Sequence, residues 1–153
     1  MIIKEVKKDL FTVSDDYALA HCISADFALG AGIAKEFDKR LNARQKLFHV
    51  FPNSWIYRWD KTKERYRGGS IILFGDYTFF NLITKRNYWD KPTLTTIKNA
   101  LTWMREQCDN HNIKKLAMPQ IGCGLDRQNW SDVKALIEET FKDTDIEILV
   151  CSL

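Results

Sequence analysis

Short apolar segments alternate with amphipathic ones along most of this chain, and that alternation constrains its fold more than any other feature. Tyr17–Ile23 and Leu116–Met118 are apolar and short enough to read as buried strands, and Ile2–Val6 and Ile146–Cys151 read as the opening and closing strands. Three longer segments repeat apolar residues at helical spacing. Gly32–Leu41 carries Ile33, Ala34, Phe37 and Leu41 on one face. Thr93–His111 carries Leu94, Ile97, Leu101, Met104 and Cys108, with Pro92 just ahead of its first turn. Ser131–Lys142 carries Val133, Leu136, Ile137 and Phe141, and Ser131 is expected to be its N-cap. One pair breaks the alternation. Ile71–Phe74 and Thr78–Ile83 are separated by the turn formers Gly75 and Asp76, which predicts an antiparallel hairpin. Strand–helix alternation with one hairpin predicts a layered α/β domain with a mixed central sheet.

The chain has 153 residues, the size of one domain (1–153) that can bury a core without disulfides or metal. Its 23 basic and 20 acidic residues leave a net charge of +3, too mild to argue for a nucleic-acid or membrane partner. Cys22, Cys108, Cys123 and Cys151 form no CxxC pair and no metal-type spacing, and His21, His49 and His111 are scattered. The cysteines read as reduced and the compartment as cytoplasmic. The N-terminal stretch MIIKEVKKDLF lacks the apolar run of a signal peptide. No segment has the apolar length of a transmembrane helix.

Two glycine loops follow predicted strands. In MPQIGCGLD (118–126), Gly122 and Gly124 flank Cys123, and Asp126 stands at the exit. Glycines there let the backbone approach a ligand, and successive N–H groups can form a nest for phosphate oxygens. The second loop, LGAGIAKEF (29–37), opens a helix whose free N–H groups and dipole favour an anion. It fits neither the Walker pattern nor a dinucleotide fingerprint. In open α/β sheets ligands gather outside the carboxyl ends of the strands, so both loops should face one crevice.

Individual residues admit two readings each. Asp9, just after the first strand, is either an acceptor for a base or sugar or a solvated turn residue. Lys85 ends the strand LITK. As a nucleophile it would need desolvation or a base to take its proton, and Asp126 is a candidate base. On residue chemistry alone the plainer reading, a surface lysine, is favoured. Cys123 is read as a small residue that fits a tight loop. His21 and Cys22 sit in an apolar strand and read as packed. The segment Trp55–Arg67, with Arg86, Tyr88 and Trp89, mixes aromatic and basic residues. It is either a connection anchored by aromatics or a wall for a macromolecular substrate.

Taken together, HCISADFALGAGIAKEF (21–37), LITK with KPT shortly after (82–93) and MPQIGCGLDR (118–127) resemble a macrodomain, more narrowly the terminal ADP-ribose protein glycohydrolase type. The match runs nearly end to end and in order. The resemblance implies a three-layer α/β/α fold holding ADP-ribose. It implies Asp9 and Leu10 at the adenine end. Ser24 and the backbone of Gly30, Ala31, Gly32, Ile33 and Ala34 would border the distal ribose and phosphates. Ile121, Gly122, Cys123, Gly124 and Leu125 would form the phosphate loop, with His21 and Pro119 also at the ligand. Lys85 and Asp126 match the family's catalytic pair, a lysine nucleophile and an aspartate acid–base. The implied activity is hydrolysis of carboxylate-linked ADP-ribose on glutamate or aspartate, with O-acyl-ADP-ribose deacylation beside it. It needs no cofactor and no metal. The implied partners are ADP-ribose and ADP-ribosylated protein, met by a monomer away from membranes. A non-catalytic ADP-ribose reader and an antitoxin-type hydrolase of ADP-ribosylated DNA are the alternatives. The chain departs from the family at Lys8, where glycine is frequent, and over 45–70, which carries no family motif.

Overall fold

The computed structural model of the protein describes residues 1–56, 59, 69–74, 77–124 and 126–153. Among them, six strands form one sheet: β1 (Ile2–Lys7), β2 (Ala18–Ser24), β3 (Gly69–Phe74), β4 (Tyr77–Lys85), β5 (Lys115–Met118) and β6 (Glu147–Ser152), in the order β1-β6-β5-β2-β4-β3. Five of them run parallel, and the edge strand β3 pairs antiparallel with β4 from Gly69↔Leu82 to Phe74↔Tyr77. The expected turn residues of that pair, Gly75 and Asp76, lie outside the described residues.

Helices cover both faces. α1 (Gly32–Leu41) and α2 (Ala43–Val50) pack on one, and α3 (Leu94–His111) and α4 (Trp130–Phe141) on the other. The alternating side chains of β2 feed both layers: Leu19 and Ile23 face α1, while Ala18 and Ala20 face α3. A parallel strand buried on both sides should read as a continuous apolar run, and ALAHCIS does. On the α1 side the core gathers Phe37, Leu47, Phe79 and Ile83, and on the α3 side Phe80, Leu82, Leu101, Met104, Ile137 and Phe141. Each such side chain contributes about 1.5–3 kcal/mol on burial, so both flanks of β2 and β4 are firmly anchored. No helix is long and apolar enough to cross a membrane, among the described residues.

Two details differ from expectation. α2 has no counterpart in the sequence pattern. Asn42, in the left-handed region at φ 52°, closes α1 and opens α2 at once. The N-cap of α4 is Asn129 rather than Ser131, because the Asn129 side chain accepts from the Ser131 N–H. Ser131 is then already inside the first turn.

The parallel strands β1, β2, β4 and β5 end on the same edge of the sheet. That edge receives Asp9, the 24–31 loop, Lys85 and the loop that starts at Pro119.

Candidate active site

Lys85 and Asp126 meet at this edge. The Lys85 Nζ donates to Asp126 Oδ1 at 2.7 Å, and the two side chains are only 15% and 16% exposed. The residues are separated by 41 positions and by the whole of α3. The sheet order brings them together, because β5 and β4 flank β2 on its two sides. A carboxylate within hydrogen-bond reach of an amine, with little water around either, is the arrangement that lets it receive the amine's proton.

The backbone under Lys85 is also held. β2 and β4 run in register from Leu19↔Phe79 to Ile23↔Ile83, then shift so that Ser24 faces Lys85. The Ala25 N–H donates to the Lys85 carbonyl at 2.9 Å. The loop that follows holds Phe27 and Leu29 in the left-handed region, at φ 58° and 45°, with both side chains buried. Asp26 organises it: its Oδ1 accepts from the Ser24 hydroxyl and from the Ala28 N–H, and its Oδ2 accepts from the Tyr88 N–H. Helix α1 then begins at Gly32 with no side-chain cap on its N–H groups. Uncapped N–H groups on an exposed helix start are donors in want of an acceptor.

The glycine loop at 118–126 is closed by its own backbone. The Cys123 N–H donates to the Gln120 carbonyl and the Gln128 N–H to the Gly122 carbonyl. The Gln128 side chain reaches the Pro92 carbonyl at 2.7 Å and ties the loop to the start of α3. Gly122 has φ +73°, and a Cβ there would sit 2.9 Å from Ile97 Cδ1. Only glycine satisfies both conditions. Gly124 is exposed and a Cβ on it would meet nothing within 4 Å, so a ligand can approach its backbone freely. Cys123 turns its Sγ to the Ile121 carbonyl, and burial together with the Asp126 charge pushes its thiol pKa up. A raised pKa makes it a poor nucleophile. Pro119 is half-buried and Ile121 buried, while Leu125 lies outside the described residues.

The remaining expected residues are placed as follows. Asp9 caps a single 3-10 turn over Leu10–Thr12, accepting from the Phe11 N–H at 2.9 Å, with Arg40 of α1 at 3.8 Å. Leu10 is buried beside it. Ser24 is buried and gives its hydroxyl to Asp26. His21, expected at the ligand, is instead fully buried. Its ring stacks on Phe37 at 3.7 Å and its Nε2 meets Asn81 Oδ1. It packs in the core there, and burial lowers its pKa to about 4. Cys22 is a packing residue too, its thiol pushed up to about 12 by burial and by the Asp126 charge. Of the aromatic–basic segment, Trp55 belongs to the core and packs against Phe51, while residues 57, 58 and 60–68 lie outside the described residues. Tyr88 and Trp89, by contrast, stand out in solvent just beyond Lys85. Asp26 is the residue that sequence reasoning passed over. The Ser24–Asp26 spacing, a hydroxyl two positions before a carboxylate, was a signal for a side-chain-ordered turn.

No family model matches the chain. The human protein named ADP-ribose glycohydrolase OARD1 is 38% identical over 154 aligned positions, covering 99% of this chain and 91% of that one. A DNA ADP-ribosyl transferase–DNA ADP-ribosyl glycohydrolase fusion protein of Thermosipho africanus is 38% identical over 91 positions, covering 57% of this chain and 24% of that one. Among solved structures, the macrodomain of Thermus aquaticus DarG has a TM-score of 0.78 at 18% identity over 99% of each chain. At that identity the likeness is one of fold.

Proposed function

This chain belongs to the macrodomain family of ADP-ribose glycohydrolases, and from that premise we propose that it frees ADP-ribose from proteins carrying it on a glutamate or aspartate side chain. The observation that carries this reading is the contact of Lys85 with Asp126 at 2.7 Å, both nearly out of water. A protein that only binds ADP-ribose has no need of that pair.

In this reading Asp126 takes a proton from the Lys85 amine. The amine lone pair then attacks the anomeric carbon of the distal ribose. The C–N bond forms as the C–O bond to the carboxylate breaks, and the carboxylate departs as a stable anion that needs no proton. The new glycosylammonium gives one N–H proton to solvent. The nitrogen lone pair then breaks the ring C–O bond to leave an open-chain iminium on Lys85, with Asp126 returning its proton to the ring oxygen. Water, deprotonated by Asp126, adds to the same carbon and releases the lysine. An acyl ester of ADP-ribose offers the same leaving group. The backbone of Gly30–Ala34 and of Gly122–Gly124 would hold the phosphates, and Asp9 and Leu10 would border the adenine end. One chain supplies both proposed reacting residues and both loops, which supports a monomer of one domain as the working unit in this reading. The four free cysteines fit a cytoplasmic setting.

The test is ADP-ribose release from a glutamate-linked mono-ADP-ribosylated protein. Wild type should release it, and Lys85→Ala should lose at least about 100-fold in kcat. A variant rate near wild type would overturn the nucleophile assignment. A wild type that binds ADP-ribose and releases none would be a reader.

A second carrier is favoured by one observation. Tyr88 and Trp89 are 62% and 65% exposed immediately beyond Lys85, with exposed Arg86 beside them. Aromatic rings next to a cation can stack a nucleobase and meet its phosphate. Affinity for single-stranded DNA that falls as salt rises would support ADP-ribosylated DNA as carrier. Indifference to DNA would remove it.

A further inference from the structure

We propose that Asp26 is a positioning residue for Lys85, acting by tying the loop after β2 to the loop after β4. This inference rests on the reading of Lys85 as the nucleophile. Neither glycine loop contains Asp26, and it touches neither reacting residue.

The register shift between Ile23 and Ser24 leaves Lys85 opposite Ser24, at the last rung of the sheet. A register irregularity re-aims the side chain next to it, and its geometry lasts only if something holds it. One hold is the Ala25 N–H on the Lys85 carbonyl. The other is the Asp26 carboxylate. Oδ1 takes the Ser24 hydroxyl and the Ala28 N–H at 3.1 Å, which shapes the loop locally. Oδ2 takes the Tyr88 N–H at 3.0 Å, 62 positions away in sequence. The carboxylate therefore spans from Ser24 to Tyr88 and brackets Lys85 between two fixed points. The far side of the same loop is pinned to the core by the Trp55 N–H on the Ala25 carbonyl at 2.9 Å. Lys85 thus has its backbone clamped from two directions while its amine is aimed at Asp126. A displacement of about 1 Å at a reacting atom can cost about 100-fold in rate, so a tie at this place has catalytic leverage.

Asp26→Asn separates the two halves of the tie. An amide oxygen can still accept from Ser24 and Ala28, whereas an amide NH2 facing the Tyr88 N–H sets donor against donor. The local turn survives and the link between loops is cut. Three readouts decide. The first is kcat and KM for the glutamate-linked substrate, expected to show kcat down about 10- to 100-fold with KM within about twofold. A merely structural role would show as lost stability with kcat unmoved. The second is the rate at which limiting acetic anhydride acylates Lys85, read by mass spectrometry and expected to rise severalfold in the variant. The third needs no variant: in wild type the Tyr88 N–H should exchange slowly with deuterium. Values of kcat and acylation rate both within twofold of wild type would overturn the proposal. So would a rise in acylation with kcat unmoved, or a Tyr88 N–H that exchanges like a free loop amide. If wild type releases no ADP-ribose, the hydrolase reading fails by itself. The acylation rate and the Tyr88 exchange then decide whether Asp26 positions Lys85.

Discussion

Single residues divide here into those that shape the backbone and those proposed to do chemistry. Gly122 and Gly124 look alike in sequence and differ in structure. At Gly122 an added methyl meets Ile97 Cδ1 at 2.9 Å and φ is +73°, whereas at Gly124 it meets nothing. Gly122→Ala is therefore expected to lose about 1–3 kcal/mol of stability, and Gly124→Ala less than about 0.5 kcal/mol. Urea midpoints at constant slope check both, and equal losses would contradict the geometry. His21 sets a pH dependence of its own. Burial lowers its pKa from 6.5 to about 4. Above pH 6.5 both folded and unfolded states hold it neutral, so it adds no slope. Between 6.5 and 4 the unfolded state binds the proton and the folded state does not, and stability falls as pH falls. The loss is complete near pH 4, at about 3 kcal/mol as an upper figure. His21→Phe keeps a ring against Phe37 and removes the titration. Its unfolding free energy should fall less than that of wild type between pH 7 and 4.5, and parallel curves would show that His21 is not the group. Sequence alone ranked these residues unevenly. The glycines announced themselves, and His21 inside an apolar run read as packed from its neighbours, although the family resemblance had put it at the ligand. Asp26 hid in plain view, because a carboxylate's value as a tie depends on a partner distant in sequence.

At the scale of elements, strong periodicity carried the reading and weak periodicity ended it. α1 occupies Gly32–Leu41 as its apolar spacing predicts, and Phe37 and Leu41 are its buried residues. α2 buries only Ala43 and Leu47 across Ala43–Val50, too thin a stripe to register as a pattern. The cap of α4 went astray for a different reason. Asn129 and Ser131 are both good capping residues two positions apart, and only coordinates show which side chain accepts. Asn129 takes both the N–H and the hydroxyl of Ser131, at 2.9 and 2.6 Å. Asn129→Ala should therefore cost about 1 kcal/mol, and Ser131→Ala clearly less. Thermal unfolding of the two variants in one buffer settles the order, and a larger loss at Ser131 would return the cap to it.

At the scale of the whole molecule, the proposed site depends on three neighbouring strands that the chain visits at long intervals. β5, β2 and β4 lie side by side, and each delivers one part of the site: the Gly122–Asp126 loop, the loop into α1, and Lys85. No spacing rule reports that juxtaposition. From sequence, the strand-end rule put both glycine loops at one crevice and residue chemistry offered Asp126 as a base for Lys85, while the family resemblance matched the two as a catalytic pair; the parallel sheet supplies the physical reason. The division of labour has a consequence for binding. The proposed phosphate contacts are backbone N–H groups of the two glycine loops, whereas Lys85 is the proposed nucleophile. Removing the lysine side chain should then abolish turnover and leave the ligand held. A ligand that binds only the folded state, at a hundred times its Kd, stabilises by about 2.7 kcal/mol. For a domain of this size that raises Tm by roughly 5–10 °C. ADP-ribose should raise the Tm of wild type and of Lys85→Ala by similar amounts in that range. A shift in wild type that vanishes in the variant would make Lys85 a binding residue first, and the proposed separation of cradle from nucleophile would be wrong.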